Sequence, residues 1–177
     1  AAYADALGCR LVGDPAAAAS RLEAILVDHP RDVLALQAAH LMDFYRGDAL
    51  NLRNRVARVM PHWSAAVPGY AYVLGMHAFG LEECNQYPEA EAAGRRALDL
   101  AADDSWAIHA VTHVMEMQGR IDEGIAWLEA RRAAWAAPGN GFAFHNAWHL
   151  ALFHLDRADH AAAIALFDEW LAGAGGM

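Results

Sequence analysis

The sequence predicts an all-α fold, an array of about ten short helices paired into antiparallel hairpins. Three observations carry it. Apolar residues recur at helical spacing through alanine-rich segments. No segment has the β-branched alternation of a strand. Two stretches superpose after a shift of 34 residues, YVLGMHAFGLEECNQYPEAEAAGRRALDL over WAIHAVTHVMEMQGRIDEGIAWLEARRAA, so that Leu74 falls on Ile108, Ala78 on Thr112 and Ala90 on Gly124.

Capping and breaker residues place the elements. Helices are expected at roughly 2–11, 15–28, 32–46, 48–60, 70–84, 88–101, 104–118, 121–135, 141–156 and 160–172. Asp14-Pro15, Tyr87-Pro88 and Asp103/Asp104-Ser105 put a cap or a first-turn proline ahead of periodic segments. Gly13, Gly47 and Gly119 stand where helices would end. Two connections are longer, PHWSAAVPG at 61–69 and AAPGNG at 136–141. Small residues at 78/112 and 90/124 let paired helices approach closely.

Composition bounds the function. With 177 residues and 56% hydrophobic content, the chain is long enough to bury a core and fits a single domain, 1–177. Its net charge of −9 opposes binding to phosphate backbones, so nucleic acid is not an expected partner. Cys9 and Cys84 form no CxxC pair, which offers no cysteine metal site and fits a reducing, cytoplasmic setting. The longest uncharged stretch, 133–155, is broken by Pro138, Gly139, Asn140 and Gly141, and neither a membrane span nor a signal peptide is expected. A chain without an initiator methionine that stops at GAGGM reads as a segment of a longer protein. Oligomeric state is left open.

The chemistry-bearing feature is a repeated HxxxH: His109 with His113 in HAVTH, and His145 with His149 in HNAWH. Four residues carry a helix about 40° past one full turn, so each pair shares a face. With ten histidines in the chain, chance alone supplies roughly half a pair at this spacing. The zincin signature needs glutamate after the first histidine, whereas Ala110 and Asn146 stand there. A di-iron bundle wants ExxH, and His113 with Glu116 runs the other way.

Thirty-four residues is the tetratricopeptide period. Five blocks carry a closer likeness: HLMDFYRG at 40–47, PHW at 61–63, GMHAFGLEECNQY at 75–87, DSWAIHAVTHVMEM at 104–117 and HNAWHLAL at 145–152. On these the chain resembles the tetratricopeptide repeat protein 38 family, found in bacteria and animals. The resemblance implies a tetratricopeptide-like α-superhelix corresponding to the C-terminal part of a longer protein, and no settled activity. His77 departs from the tyrosine expected there and is not carried into a site. The flanking units fit the register only after four or five residues are absorbed by the longer loops. In such repeats the first helix of each pair lines the concave surface. That architecture would place His109, His113 and Glu116 from one helix, His145 and His149 from the next, and Glu83 from the one before, in a common groove.

Three functions fit that groove. The four histidines with Glu116 and Glu83 can grip a small polar or anionic ligand, with acid/base chemistry, between apolar walls of Trp106, Trp148 and Phe79. They can instead hold a divalent metal such as zinc, leaving a water for Glu116 or Glu83 to deprotonate in a hydrolase-like site. The groove can also bind a peptide as an adaptor without catalysis. The sequence requires no cofactor and leaves open whether the protein is an enzyme. Among other residues, His40 is expected to be buried and hydrogen-bonded, with Asp43 and Tyr45 as partners, and it is a secondary ligand candidate. His29, His62, His154 and His160 are expected at the surface or as caps. The arginines at 53, 55 and 58 read as a solvated helix face.

Overall fold

The computed structural model describes residues 2–172; the terminal GAGGM at 173–177 lies outside them. Among the described residues there is no strand. The helices are α1 (Ala2–Leu11), α2 (Pro15–Asp28), α3 (Val33–Tyr45), α4 (Ala49–Val59), α5 (Tyr70–Glu82), α6 (Tyr87–Leu100), α7 (Ser105–Met117), α8 (Ile121–Glu129), α9 (Arg132–Trp135), α10 (Ala143–Asp156) and α11 (His160–Leu166). A 3₁₀ turn, Met60–His62, extends α4, and a π turn, Phe167–Leu171, follows α11.

Local chemistry explains the boundaries. Carboxylates of Asp14, Asp32, Asp48, Asp104 and Asp159 accept hydrogen bonds from first-turn backbone N–H groups and so cap α2, α3, α4, α7 and α11. The turn inside every hairpin carries one left-handed residue: Gly13, Gly47, Asn85, Gly119 and Ala158. These positions step by 34, 38, 34 and 39 residues. The longer steps span the two longer loops, where the four or five extra residues were expected.

Hairpins α1/α2, α3/α4, α5/α6, α7/α8 and α10/α11 stack in chain order, each second helix packing on the first helix of the next pair. The stacking buries one core around Leu22, Leu36, Val56 and Trp63 and another around Ile108, Trp135, Leu150 and Phe153. Each such side chain contributes about 1.5–3 kcal/mol on leaving water. Gly124 shows why small residues recur at the helix contacts. A Cβ there would lie 2.3 Å from the Phe153 ring, so α8 can approach α10 only without one.

Three sequence expectations need correction. The helix expected over 121–135 breaks after Glu129, where Trp135 folds back to donate its indole N–H to the Leu128 carbonyl (2.8 Å) and becomes fully buried. Arg55 does not lie on a solvated face. It is buried, and its guanidinium grips Asp43 at 2.8 and 3.2 Å and Glu23 at 2.7 Å. His154 is likewise buried, 3.4 Å from the Asp159 carboxylate.

Candidate metal centre

The two HxxxH pairs face one another across the α7/α10 contact. His109 and His113 come from α7, and His145 and His149 from α10. The helix period aims each pair at the neighbouring helix, and the hairpin stacking brings the two faces together. The Nε2 atoms then converge: His109 to His145 at 2.9 Å, His113 to His149 at 3.1 Å, and His145 to His149 at 3.2 Å. One nitrogen from each of the four rings lies within 4.8 Å of all the others.

Carboxylates stand behind two of the rings. Glu116 Oε2 is 2.7 Å from His149 Nδ1, and Glu82 Oε2 is 3.4 Å from His113 Nδ1. A carboxylate at Nδ1 holds the proton there and leaves the Nε2 lone pair pointing inward. His113 Nε2, 3.1 Å from that of His149, meets its lone pair either with its own N–H or, where both nitrogens present lone pairs, across a cation. Glu116 thus orients the ring of His149, on the facing helix, and not that of its own neighbour His113. The carboxylate that approaches His113 closest is that of Glu82, a residue the sequence did not suggest. Glu83 stays nearby, in the turn after α5, with a carboxylate oxygen within 4.8 Å of both Glu82 and His113.

The electrostatics keep three of the imidazoles, those of His109, His145 and His149, neutral. Burial drives His109 well below the ordinary value for histidine, and the three surrounding imidazoles push it the same way. His145 falls to about 4, through burial and then its neighbours His149 and His113. Burial also lowers His149, with Glu116 pulling in the opposite sense. Burial alone would raise Glu116, but its bond to His149 and the surrounding imidazoles bring it below the usual carboxylate range. Glu83 is raised by burial and by the adjacent Glu82. Neutral nitrogens with free lone pairs are what a metal ion requires of histidine.

Aromatic residues wall the cluster at different depths. Phe79 is fully buried with its ring 5.3 Å from that of His109 and 5.6 Å from that of His113. Half-buried Trp106 packs on His109, whereas Trp148 is exposed and covers His145 and His149. Phe142, which the sequence did not suggest, packs its ring edge-on against His109. His40 is not part of the cluster. It is buried one aromatic layer away, against Phe79 and Trp106. Its expected partners are engaged elsewhere: Asp43 binds Arg55, and Tyr45 points to solvent. The polar neighbour of His40 is instead the backbone of Leu52, which opposes the effect of burial on the ring.

Three pairs of ring nitrogens lie within 3.2 Å of each other, so little space remains between the four rings. No family model matches the chain. Among solved structures, it is similar to the crystal structure of MamA, with a TM-score of 0.64 at 16% identity over 93% of this chain and 91% of that one. It is also similar to a putative kinesin light chain of Podosopora anserina with nearly identical TPR-like repeats, with a TM-score of 0.70 at 14% identity over 97% of this chain and 92% of that one. At these identities the likeness establishes the fold: an all-α array of tetratricopeptide-like hairpins.

Proposed function

We propose that this is a tetratricopeptide-like scaffold carrying a transition-metal centre, with zinc held by Nε2 of His109, His113, His145 and His149. The convergence of the four nitrogens carries this reading. Zinc at about 2.0–2.1 Å from four tetrahedral nitrogens needs those nitrogens about 3.3–3.4 Å apart, and the three shortest separations are 2.9, 3.1 and 3.2 Å. The other three separations lie within 4.8 Å, so side-chain rotations have to open the close pairs and draw the others together. The donor set is imidazole throughout, which suits zinc and also copper, nickel and iron. Tetrahedral four-fold protein ligation without an open position is the pattern of a structural site. Its effect here is to staple α7 to α10 and hold two successive repeat units in one curvature.

The hydrolase alternative draws less support. The base it needs is engaged, since Glu116 accepts from His149, and Glu82 lies behind His113 and away from the centre. The adaptor reading is compatible with a staple, because tetratricopeptide-like folds generally mediate protein or peptide interactions, and a fixed curvature presents a fixed groove. Among the described residues no helix is long and apolar enough to cross a membrane. Membership of the tetratricopeptide repeat protein 38 family is part of this proposal. The two blocks that carry the resemblance most specifically, at 104–117 and 145–152, contain all four histidines and Glu116.

Protein purified without a polyhistidine tag, loaded with zinc and dialysed, is expected to retain one equivalent per chain by elemental analysis. The His113→Ala/His149→Ala variant should retain none. Sub-stoichiometric zinc in the unmodified protein, with no other transition metal replacing it, overturns the proposal.

A further inference from the structure

A second set of donors adjoins the four imidazoles. One ligand atom each from Glu82, Glu83 and His113 lies within 4.8 Å of the other two. Glu82 ends α5, Glu83 stands in the turn that follows, and His113 comes from α7.

The Glu82 carboxylate is the anomaly. Its side chain is 5% exposed, and Oε2 has no hydrogen-bond partner among the described residues. The nearest donor, His113 Nδ1, stands at 3.4 Å and outside hydrogen-bond geometry. A buried carboxylate oxygen with nothing to accept is costly and rare. A second carboxylate beside it adds to the cost, since burial raises Glu83 and the charge of Glu82 raises it further. The chain has no lysine. Among the described residues every arginine ion pair goes to some other carboxylate. A cation shared by the two glutamates would relieve both.

The spacing is that of ligands on one ion. Nitrogen and oxygen donors about 2.0–2.2 Å from a tetrahedral zinc ion stand roughly 3.3–3.6 Å apart, and Glu82 Oε2 and His113 Nδ1 are separated by 3.4 Å. An ion of this kind sits between its donors and needs no cavity of ligand size. Glu83 and His113 are half-buried, which gives it a way in from solvent.

We propose that Glu82, Glu83 and His113 Nδ1 hold a second divalent transition-metal ion, with His113 bridging it to the first. This rests on zinc at the four histidines. His113 binds one ion through Nε2 and the other through Nδ1, as an imidazolate, and its displaced ring proton passes to solvent. Three protein donors leave a fourth position for water. The second ion is held more weakly, because it has fewer protein donors and is repelled by the first. Dialysis therefore removes it and leaves the single retained equivalent.

The test starts from zinc-loaded, dialysed protein and follows bound zinc by equilibrium dialysis against rising free zinc. A second equivalent should bind saturably, about tenfold or more weaker than the first, and should release about one proton per chain in weakly buffered solution. Glu82→Gln and Glu83→Gln should each weaken the second equivalent about tenfold or more and retain the first. Glu83 lies in a turn and is half-buried, so Glu83→Gln decides the matter even where Glu82→Gln fails to fold. Protein that retains no first equivalent overturns both proposals. One retained equivalent with no saturable second, a second bound without proton release, or a second that survives Glu83→Gln unchanged overturns this one alone.

Discussion

Substituting Glu116 by glutamine separates a metal centre from a cluster of packed histidines. Glutamine keeps the length of the side chain and an acceptor oxygen, and removes the charge that fixes the proton on His149 Nδ1. The bond it weakens is charge-assisted, 2.7 Å long, and made to a ring that is 2% exposed at its side chain. Bonds to charged groups contribute about 1.5–3 kcal/mol, which corresponds to a factor of about 10–100 in metal affinity, the range usual for carboxylates behind a metal-bound histidine. Glu82 approaches His113 at 3.4 Å without hydrogen-bond geometry, so Glu82→Gln should weaken affinity by a smaller factor, about threefold to tenfold. Glu83 makes no hydrogen bond or ion pair with any of the four rings, and Glu83→Gln should leave affinity within about twofold. The assay is zinc competition against a chromophoric chelator at neutral pH, with thermal melts of the metal-free proteins recorded alongside. The order expected is Glu116 above Glu82 above Glu83. Equal affinities for Glu116→Gln and the unmodified protein would refute the assignment of Glu116 as the group orienting a ligand. Metal-free Glu116→Gln melting far below the unmodified protein would show that the carboxylate serves the fold and not the ion.

Three further outcomes follow from the same structure. Ala158 closes the α10/α11 turn at φ 59°, where a side chain costs about 1 kcal/mol relative to glycine; Ala158→Gly should therefore raise stability by up to that amount in urea titration, and a drop in stability would contradict it. Asp43→Ala leaves the buried guanidinium of Arg55 with only Glu23 and should cost about 3–5 kcal/mol, a result that an Arg55 on a solvated face would not give. Metal-free protein should become less stable on acidification, because His40 and His145 sit near 4 when folded and near 6.5 ordinarily. The unfolded chain takes up those protons first, so their contribution is full above about 6.5 and declines as the pH falls towards 4. Asp104 acts in the opposite sense, its contribution present below 3.8 and gone as the pH rises through about 6. Asp104→Asn should therefore steepen the acid fall of the melting midpoint, and a midpoint that rises on acidification from about pH 7 to about pH 5 would refute the sign.

Most of the secondary structure was legible in the sequence, because its determinants are local. An aspartate that caps the residues just after it, a proline in a first turn and a glycine with positive φ act within one turn of the chain. Asn85 and Ala158 take the same left-handed role as the three glycines of the other hairpin turns; asparagine signals it more weakly than glycine, and alanine does not signal it at all. The break between α8 and α9 is hidden for another reason, since it depends on where the indole of Trp135 finds an acceptor. Arg55 shows the limit of reading charge along one helix, because its partners arrive from α2 and α3.

Within the candidate site, the sequence alone determined that each histidine pair shares a helix face, and the repeat period suggested that both faces meet in one groove. Spacing along a helix is set by backbone geometry, so both inferences follow from residue numbers. Only the tertiary structure decided that the nitrogens approach to 2.9, 3.1 and 3.2 Å, and that Glu82 stands behind His113. Separations between helices are set by the small residues and ring contacts at their interface, and a one-residue step turns a side chain by about 100°. Distances of that kind arise from packing between segments far apart in the chain, which no local pattern encodes.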